Sequence, residues 1–213
     1  MNIKFKVCGM RHPENIAALT ALQPDYMGFI FYEQSKRFVG NLDREVMKSL
    51  PSYIKSTGVF VNENLEELVA TAKANQLKAL QLHGSESPEY CSQLRLKLPG
   101  VELIKAFGVN ESFNFDVLVP YLNQVDYFLF DTQTEAHGGS GKTFDWKLLN
   151  QYEFQKPYFL SGGIGLEQVT QITEIMDPRL YAIDVNSRFE TEPALKDIEQ
   201  LKTFKNQLLS IAQ

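Results

Sequence analysis

The sequence predicts an α/β fold, a single-domain (β/α)8 barrel, on three observations. Eight short apolar runs alternate with amphipathic stretches from end to end, the pattern of strand-helix repetition around a parallel sheet. With 213 residues and 44% hydrophobic content the chain can bury one substantial core, and 1–213 is expected to form one domain. Polar, ionisable and glycine residues follow the runs, where a barrel carries its chemistry at the carboxyl ends of its strands. Eight units favour a closed barrel over an open doubly wound sheet, although the chain is at the short end for a barrel.

The first run, Ile3–Val7, exits into Cys8, Gly9 and Met10, and Pro13–Leu22 then repeats apolar residues at intervals of three and four. Tyr26–Phe31 exits into a polar turn from Tyr32 to Arg37, ahead of a helical pattern over Asp43–Leu50. Lys55–Val61 is paired with Leu65–Asn75, and Ala79–Leu82 exits into His83 and Gly84 before Pro88–Leu98. After the fifth run, Glu102–Ala106, the segment 110–124 has the least clear pattern. Tyr127–Phe130 exits into Asp131 and Thr132. Tyr158–Leu160 exits into Ser161, Gly162 and Gly163, with a helix expected over Leu166–Ile175. The last run, Ala182–Val185, exits into Asn186, Ser187 and Arg188 before the helical pattern Lys196–Ala212.

A net charge of −5 argues against nucleic-acid or membrane-surface partners, which want a basic face. No apolar run approaches the about 20 residues of a membrane span, and the amino-terminal stretch lacks a signal-peptide core. A soluble, cytoplasmic protein is expected. Two cysteines are too few for a disulfide framework, and His12, His83 and His137 show no metal-ligand spacing.

Several residues could carry chemistry. Cys8 could be a base or nucleophile once its thiolate is stabilised, or a buried small apolar residue. Asp131 could be a general acid at an apolar barrel mouth, or a cap. Arg37 could clamp a carboxylate in fork geometry, or lie solvated on the surface. His83 could orient a substrate or bond a strand end. Lys105, inside an apolar run, must reach a carboxylate or the barrel mouth. Gly162 and Gly163, with a second turn at Ser187 on the next strand, suit a phosphate. The run Gly138-Gly139-Ser140-Gly141-Lys142-Thr143 looks like a P-loop but has Ala136 where that motif needs glycine, so a mobile lid is expected.

Seven segments together resemble the phosphoribosylanthranilate isomerase family of tryptophan biosynthesis over the whole chain. They are Lys6 to Met10, Ser35 to Val39, Gly58 to Asn62, Gln81 to Gly84, Phe130 to Thr132, Gly138 to Trp146 and Leu160 to Ile164. The resemblance implies a cofactor-independent Amadori rearrangement of N-(5-phosphoribosyl)anthranilate to 1-(2-carboxyphenylamino)-1-deoxyribulose 5-phosphate, without a metal. It implies Cys8 as general base and Asp131 as general acid, with Arg37 on the anthranilate carboxylate. Gly162, Gly163, Ser187 and Arg188 would serve the phosphate, and a lid over Gly138, Gly139, Ser140 and Gly141 would close on substrate. His83 and Lys105 are further substrate-contact candidates. The implied partner is a phosphorylated small molecule, and the expected state is monomer or homodimer.

Two departures stand out. Lys36 replaces the proline usual before the family's arginine, and Arg188 replaces a glycine, so that Arg188 either contacts the phosphate or turns away to pair with an acid. A histidine-pathway isomerase would carry aspartate at position 8, and indole-glycerol-phosphate synthase needs lysines and a glutamate that Lys105 alone does not supply. A retired barrel that binds phosphate without catalysis would be expected to lose Cys8 or Asp131 first.

Overall fold

The computed structural model describes residues 3–40, 42, 44–133, 143–175 and 177–211. Eight parallel strands close on themselves in chain order. They are β1 (Lys4–Val7), β2 (Tyr26–Ile30), β3 (Lys55–Phe60), β4 (Ala79–Leu82), β5 (Glu102–Val109), β6 (Tyr127–Thr132), β7 (Tyr158–Leu160) and β8 (Leu180–Val185). β1 completes the ring against β8, with Lys6 opposite Asp184 and Val7 opposite Val185.

Alternation along the strands divides the core in two. Tyr26, Ala79, Ile104, Ala106, Leu129, Phe159 and Ala182 fill the barrel interior. Phe5, Val7, Phe128, Phe130, Ile183 and Val185 face the helical layer outside. The same parity turns Lys6 and Cys8 inward on β1, Gln81 and His83 on β4, Asp131 on β6 and Asp184 on β8. The polar inward residues Cys8, Gln81, His83, Asp131 and Asp184 stand with the apolar Ile30 and Val59 toward the carboxyl ends of the strands.

The helices α1 (Pro13–Ala21), α2 (Arg44–Ser49), α3 (Leu65–Ala74) and α4 (Pro88–Lys97) follow the first four strands. Pro13 and Pro88 stand in the first turns of α1 and α4, where a missing N–H is not needed. The Asn64 side chain accepts from the backbone N–H of Glu66 at 2.9 Å and opens α3. Among the described residues no helix is long and apolar enough to cross a membrane.

The unclear segment after the fifth strand has a physical cause. β5 runs on to Val109, beyond the expected Ala106, and Phe115–Tyr121 is a 3₁₀ helix containing Pro120. Proline supplies no N–H to an α ladder. Trp146–Gln151 is likewise 3₁₀, and the expected helix over Leu166–Ile175 divides into a 3₁₀ turn and α5 (Val169–Glu174).

The last helical pattern also needs correction at its start. A short antiparallel pair, β9 (Glu190–Glu192) and β10 (Leu195–Lys196), precedes α6 (Ile198–Ile211). Lys196 is held out of the helix because its N–H donates to Asn15 Oδ1 at 2.8 Å and its carbonyl accepts from Asn15 Nδ2 at 2.9 Å.

Candidate active site

A cavity of about 640 Å³ opens at the carboxyl ends of the strands, and Cys8, Arg37, His83, Asp131, Gly162 and Ser187 all line it. Cys8 follows β1, and its N–H donates to Val185 O at 2.9 Å, which carries the barrel closure one residue past the strand. Gly28 gives the thiol its room, because a Cβ there would stand 2.7 Å from Cys8 Sγ. Burial pushes the thiol up from its ordinary range, while the Lys6 and Lys196 ammonium groups pull it back.

Lys6, one inward position below Cys8, is fully buried. Its Nζ donates at 2.7 Å to both Gln81 Oε1 and Asp184 Oδ2. Burial pulls this lysine down, but Asp184 and Cys8 together outweigh that and hold it above its ordinary value. Asp184 also lines the cavity, and its buried Oδ1 has no hydrogen-bond partner among the described residues. A buried acceptor left in that state costs free energy until a donor arrives.

Asp131, at the end of β6, is 9% exposed. Its Oδ1 accepts from Thr132 N–H at 2.8 Å, and its Oδ2 lies 3.3 Å from His83 Nε2. His83 Nδ1 lies 2.7 Å from Gln81 Nε2, so side-chain contacts run continuously from Asp131 to Lys6.

Arg37 is carried by the turn after β2, where Phe38 bridges to Ile30 and Arg37 N–H donates to Ser35 Oγ at 3.1 Å. One edge of its guanidinium is already bound, Nε donating to Glu190 Oε1 at 2.9 Å and Nη2 to Glu190 Oε2 at 2.6 Å. Among the described residues Nη1 has no hydrogen-bond partner. Lys196 Nζ donates to Glu190 Oε1 and to Asn186 Oδ1, each at 2.6 Å. Burial pushes Glu190 up, yet the two cations outweigh it and hold its carboxyl below the ordinary glutamate value. Burial pulls Lys196 down against the opposing pull of Glu190.

The β7 and β8 exits face the same cavity. Gly162 and Gly163 have φ of +94° and +66°. At Gly162 a Cβ would stand 2.7 Å from Asp131 Oδ1 and would also strike Thr132, so glycine is required on both counts. Ser187 opens a 3₁₀ turn on the neighbouring strand. Arg188 lines the cavity mouth and pairs there with Glu167 at 3.4 Å, both side chains being largely exposed.

Lys105 reaches a carboxylate and not the barrel mouth, so it is not placed to touch substrate. Ile104 and Ala106 point into the barrel, so Lys105 points out of it, and it does not line the cavity. Its Nζ meets Glu86 at 3.2 Å and donates to Gly84 O at 2.8 Å, which makes it a strut behind the β4 exit. The lid residues Gly138, Gly139, Ser140 and Gly141 lie outside the described residues. Sequence reasoning missed Lys6, Gln81, Asp184, Glu190 and Lys196. The signal for Lys6 and Asp184 was present, an ionisable residue inside an apolar strand two positions before a polar exit.

A family model described as N-(5'-phosphoribosyl)anthranilate (PRA) isomerase matches residues 5–207. The chain belongs to the PRA isomerase family. Among curated PRA isomerases, that of Parabacteroides distasonis is 47% identical over 207 residues, covering 96% of this chain and 93% of its own. The solved structure of the Thermotoga maritima phosphoribosyl anthranilate isomerase is 34% identical with a TM-score of 0.85, covering 98% and 99% of the two chains. A further phosphoribosyl anthranilate isomerase, solved with reduced 1-(o-carboxyphenylamino)-1-deoxyribulose 5-phosphate, is 30% identical with a TM-score of 0.82 over 98% and 99%. The closed eight-stranded parallel barrel of this chain is the fold of these PRA isomerases.

Proposed function

We propose that Cys8 is the base and Asp131 the acid with which this chain isomerises N-(5'-phosphoribosyl)anthranilate in tryptophan biosynthesis. The observation that carries the reading is that both groups end barrel strands and line one cavity together with Arg37. Protonated Asp131 gives its proton to the furanose ring oxygen, and the ring C–O bond breaks to leave a protonated Schiff base. The Cys8 thiolate then takes the C2 proton, and the electron pair of that C–H bond neutralises the Schiff base as an enolamine. The enolamine tautomerises to the ketone, and the enzyme resets by moving one proton from Cys8 back to Asp131.

The surrounding charges suit these steps. Lys6 and Lys196 favour the thiolate form that Cys8 needs. The Nη1 edge of Arg37, backed by Glu190, would take the anthranilate carboxylate in fork geometry. The turns at Gly162, Gly163 and Ser187 would take the phosphate, with Arg188 at the rim. Asp184 Oδ1 would accept from a substrate hydroxyl and so gain the partner it lacks. Every group named comes from one chain, and the expected state is a monomer or a homodimer. The reading places the enzyme in the cytoplasm.

Turnover of freshly prepared substrate, followed through loss of its fluorescence, tests the assignment. Cys8→Ala and Asp131→Asn are each expected to lower kcat by about 10²-fold or more while product-analogue binding is kept. Wild-type turnover in either variant would remove that residue from its role.

A further inference from the structure

Gln81 belongs to none of the roles above, yet it is buried at 2% exposure between Lys6 and His83. Its two contacts are of different kinds. Lys6 Nζ stands 2.7 Å from Oε1, and an ammonium has donors only, so the amide oxygen must face Lys6. The amide nitrogen therefore faces His83 Nδ1 at 2.7 Å, and that nitrogen has only N–H bonds to offer. His83 Nδ1 must then accept, which leaves the ring proton of the neutral imidazole on Nε2. That nitrogen lies 3.3 Å from Asp131 Oδ2.

We propose that Gln81 is a positioning residue that holds His83 in its Nε2–H tautomer and so directs a hydrogen-bond donor at the general acid. The inference rests on the reading of Asp131 as that acid. When Asp131 has given its proton to the substrate, both carboxylate oxygens find donors, Thr132 N–H on Oδ1 and His83 Nε2–H on Oδ2. The opposite tautomer would present a lone pair at Nε2. That lone pair would hold the Asp131 proton instead of releasing it to the ring oxygen. Lys6 acts at the far end by orienting the amide, and its ion pair with Asp184 keeps it charged. The His83 backbone adds rigidity, since its N–H donates to Phe60 O at 2.8 Å.

The test is a two-bond ¹H–¹⁵N correlation spectrum of the wild-type imidazoles at about pH 8, where an ordinary histidine is neutral. His83 is expected to show a protonated Nε2 and a bare Nδ1, and a protonated Nδ1 there would overturn the proposal. In Gln81→Glu the new carboxylate oxygen would accept, drawing a proton to Nδ1, and kcat is expected to fall about tenfold or more with KM within about twofold. Gln81→Met keeps the side-chain length without the amide, and should lose both the single tautomer and a similar share of kcat. Should the glutamate variant not fold, the wild-type spectrum and Gln81→Met decide. An unchanged His83 spectrum and unchanged kcat in the folded variants would overturn the proposal. Asp131→Asn with wild-type turnover would instead remove the acid assignment, while the wild-type spectrum still reads the tautomer by itself.

Discussion

The Cys8 thiol sits between opposed influences. Burial raises it, and the two ammonium groups of Lys6 and Lys196 lower it. Because the net shift is upward and the working form is the thiolate, kcat/KM should rise with pH through and beyond the ordinary thiol value of about 8.5. Lys196→Met removes one of the two cations, so a pH-rate profile of that variant should move its limb to still higher pH and lose activity near neutrality. Glu190 titrates in the other sense. Its folded-state value is depressed, so its stabilising contribution is complete above the ordinary value of about 4.3 and is lost as pH falls through the depressed one. Glu190→Gln leaves buried Lys196 and Arg37 without their counter-charge and should cost about 3 kcal/mol near neutrality. Urea midpoints measured against pH should show the gap between wild type and variant closing on acidification below about pH 4.

At the scale of elements, the exits of β6 and β7 fit against each other through Gly162. Gly162→Ala would force a methyl group toward Asp131 Oδ1 and demand a left-handed backbone from alanine. A drop in kcat of about 10²-fold is expected, well beyond the effect on the urea midpoint, because the group displaced is the acid itself. These exits were legible in the sequence. Cys8, His83, Asp131 and Gly162 each follow an apolar run, and the run alone says where a strand ends. What lies behind them was harder to read, since Lys6 meets Gln81 75 residues away and Asp184 178 residues away. Local pattern does not reach across such separations. Lys105 shows the same limit from the other side, because an ionisable residue in an apolar run is notable, yet only its alternation with Ile104 and Ala106 reveals that it faces outward. The helical pattern over Lys196–Ala212 took in the last residue of β10, because the extended course of Lys196 is set by Asn15 at the other end of the chain.

For the whole molecule, stability rests on an aromatic centre inside the ring. Phe159 is fully buried and packs edge-on against Tyr26 and Tyr127, with ring centroids 5.1 and 5.3 Å apart. Phe159→Ala should cost about 3–5 kcal/mol and lower Tm by roughly 10 °C in a scanning calorimeter. Eight strands in chain order made the closed barrel legible, since the count leaves no open edge once the first and last strands meet. That meeting has a consequence in time. During synthesis, at roughly 5–20 residues per second, β1 leaves the ribosome at least about ten seconds before the Asp184 that partners Lys6, 178 residues later. Throughout that interval one edge of β1 offers unpaired N–H and C=O groups, and its Cys8 lacks the β8 residues that will enclose it. A nascent chain arrested before Val185 should therefore be alkylated at Cys8 faster than the released full chain, in which Cys8 is buried at the base of its cavity.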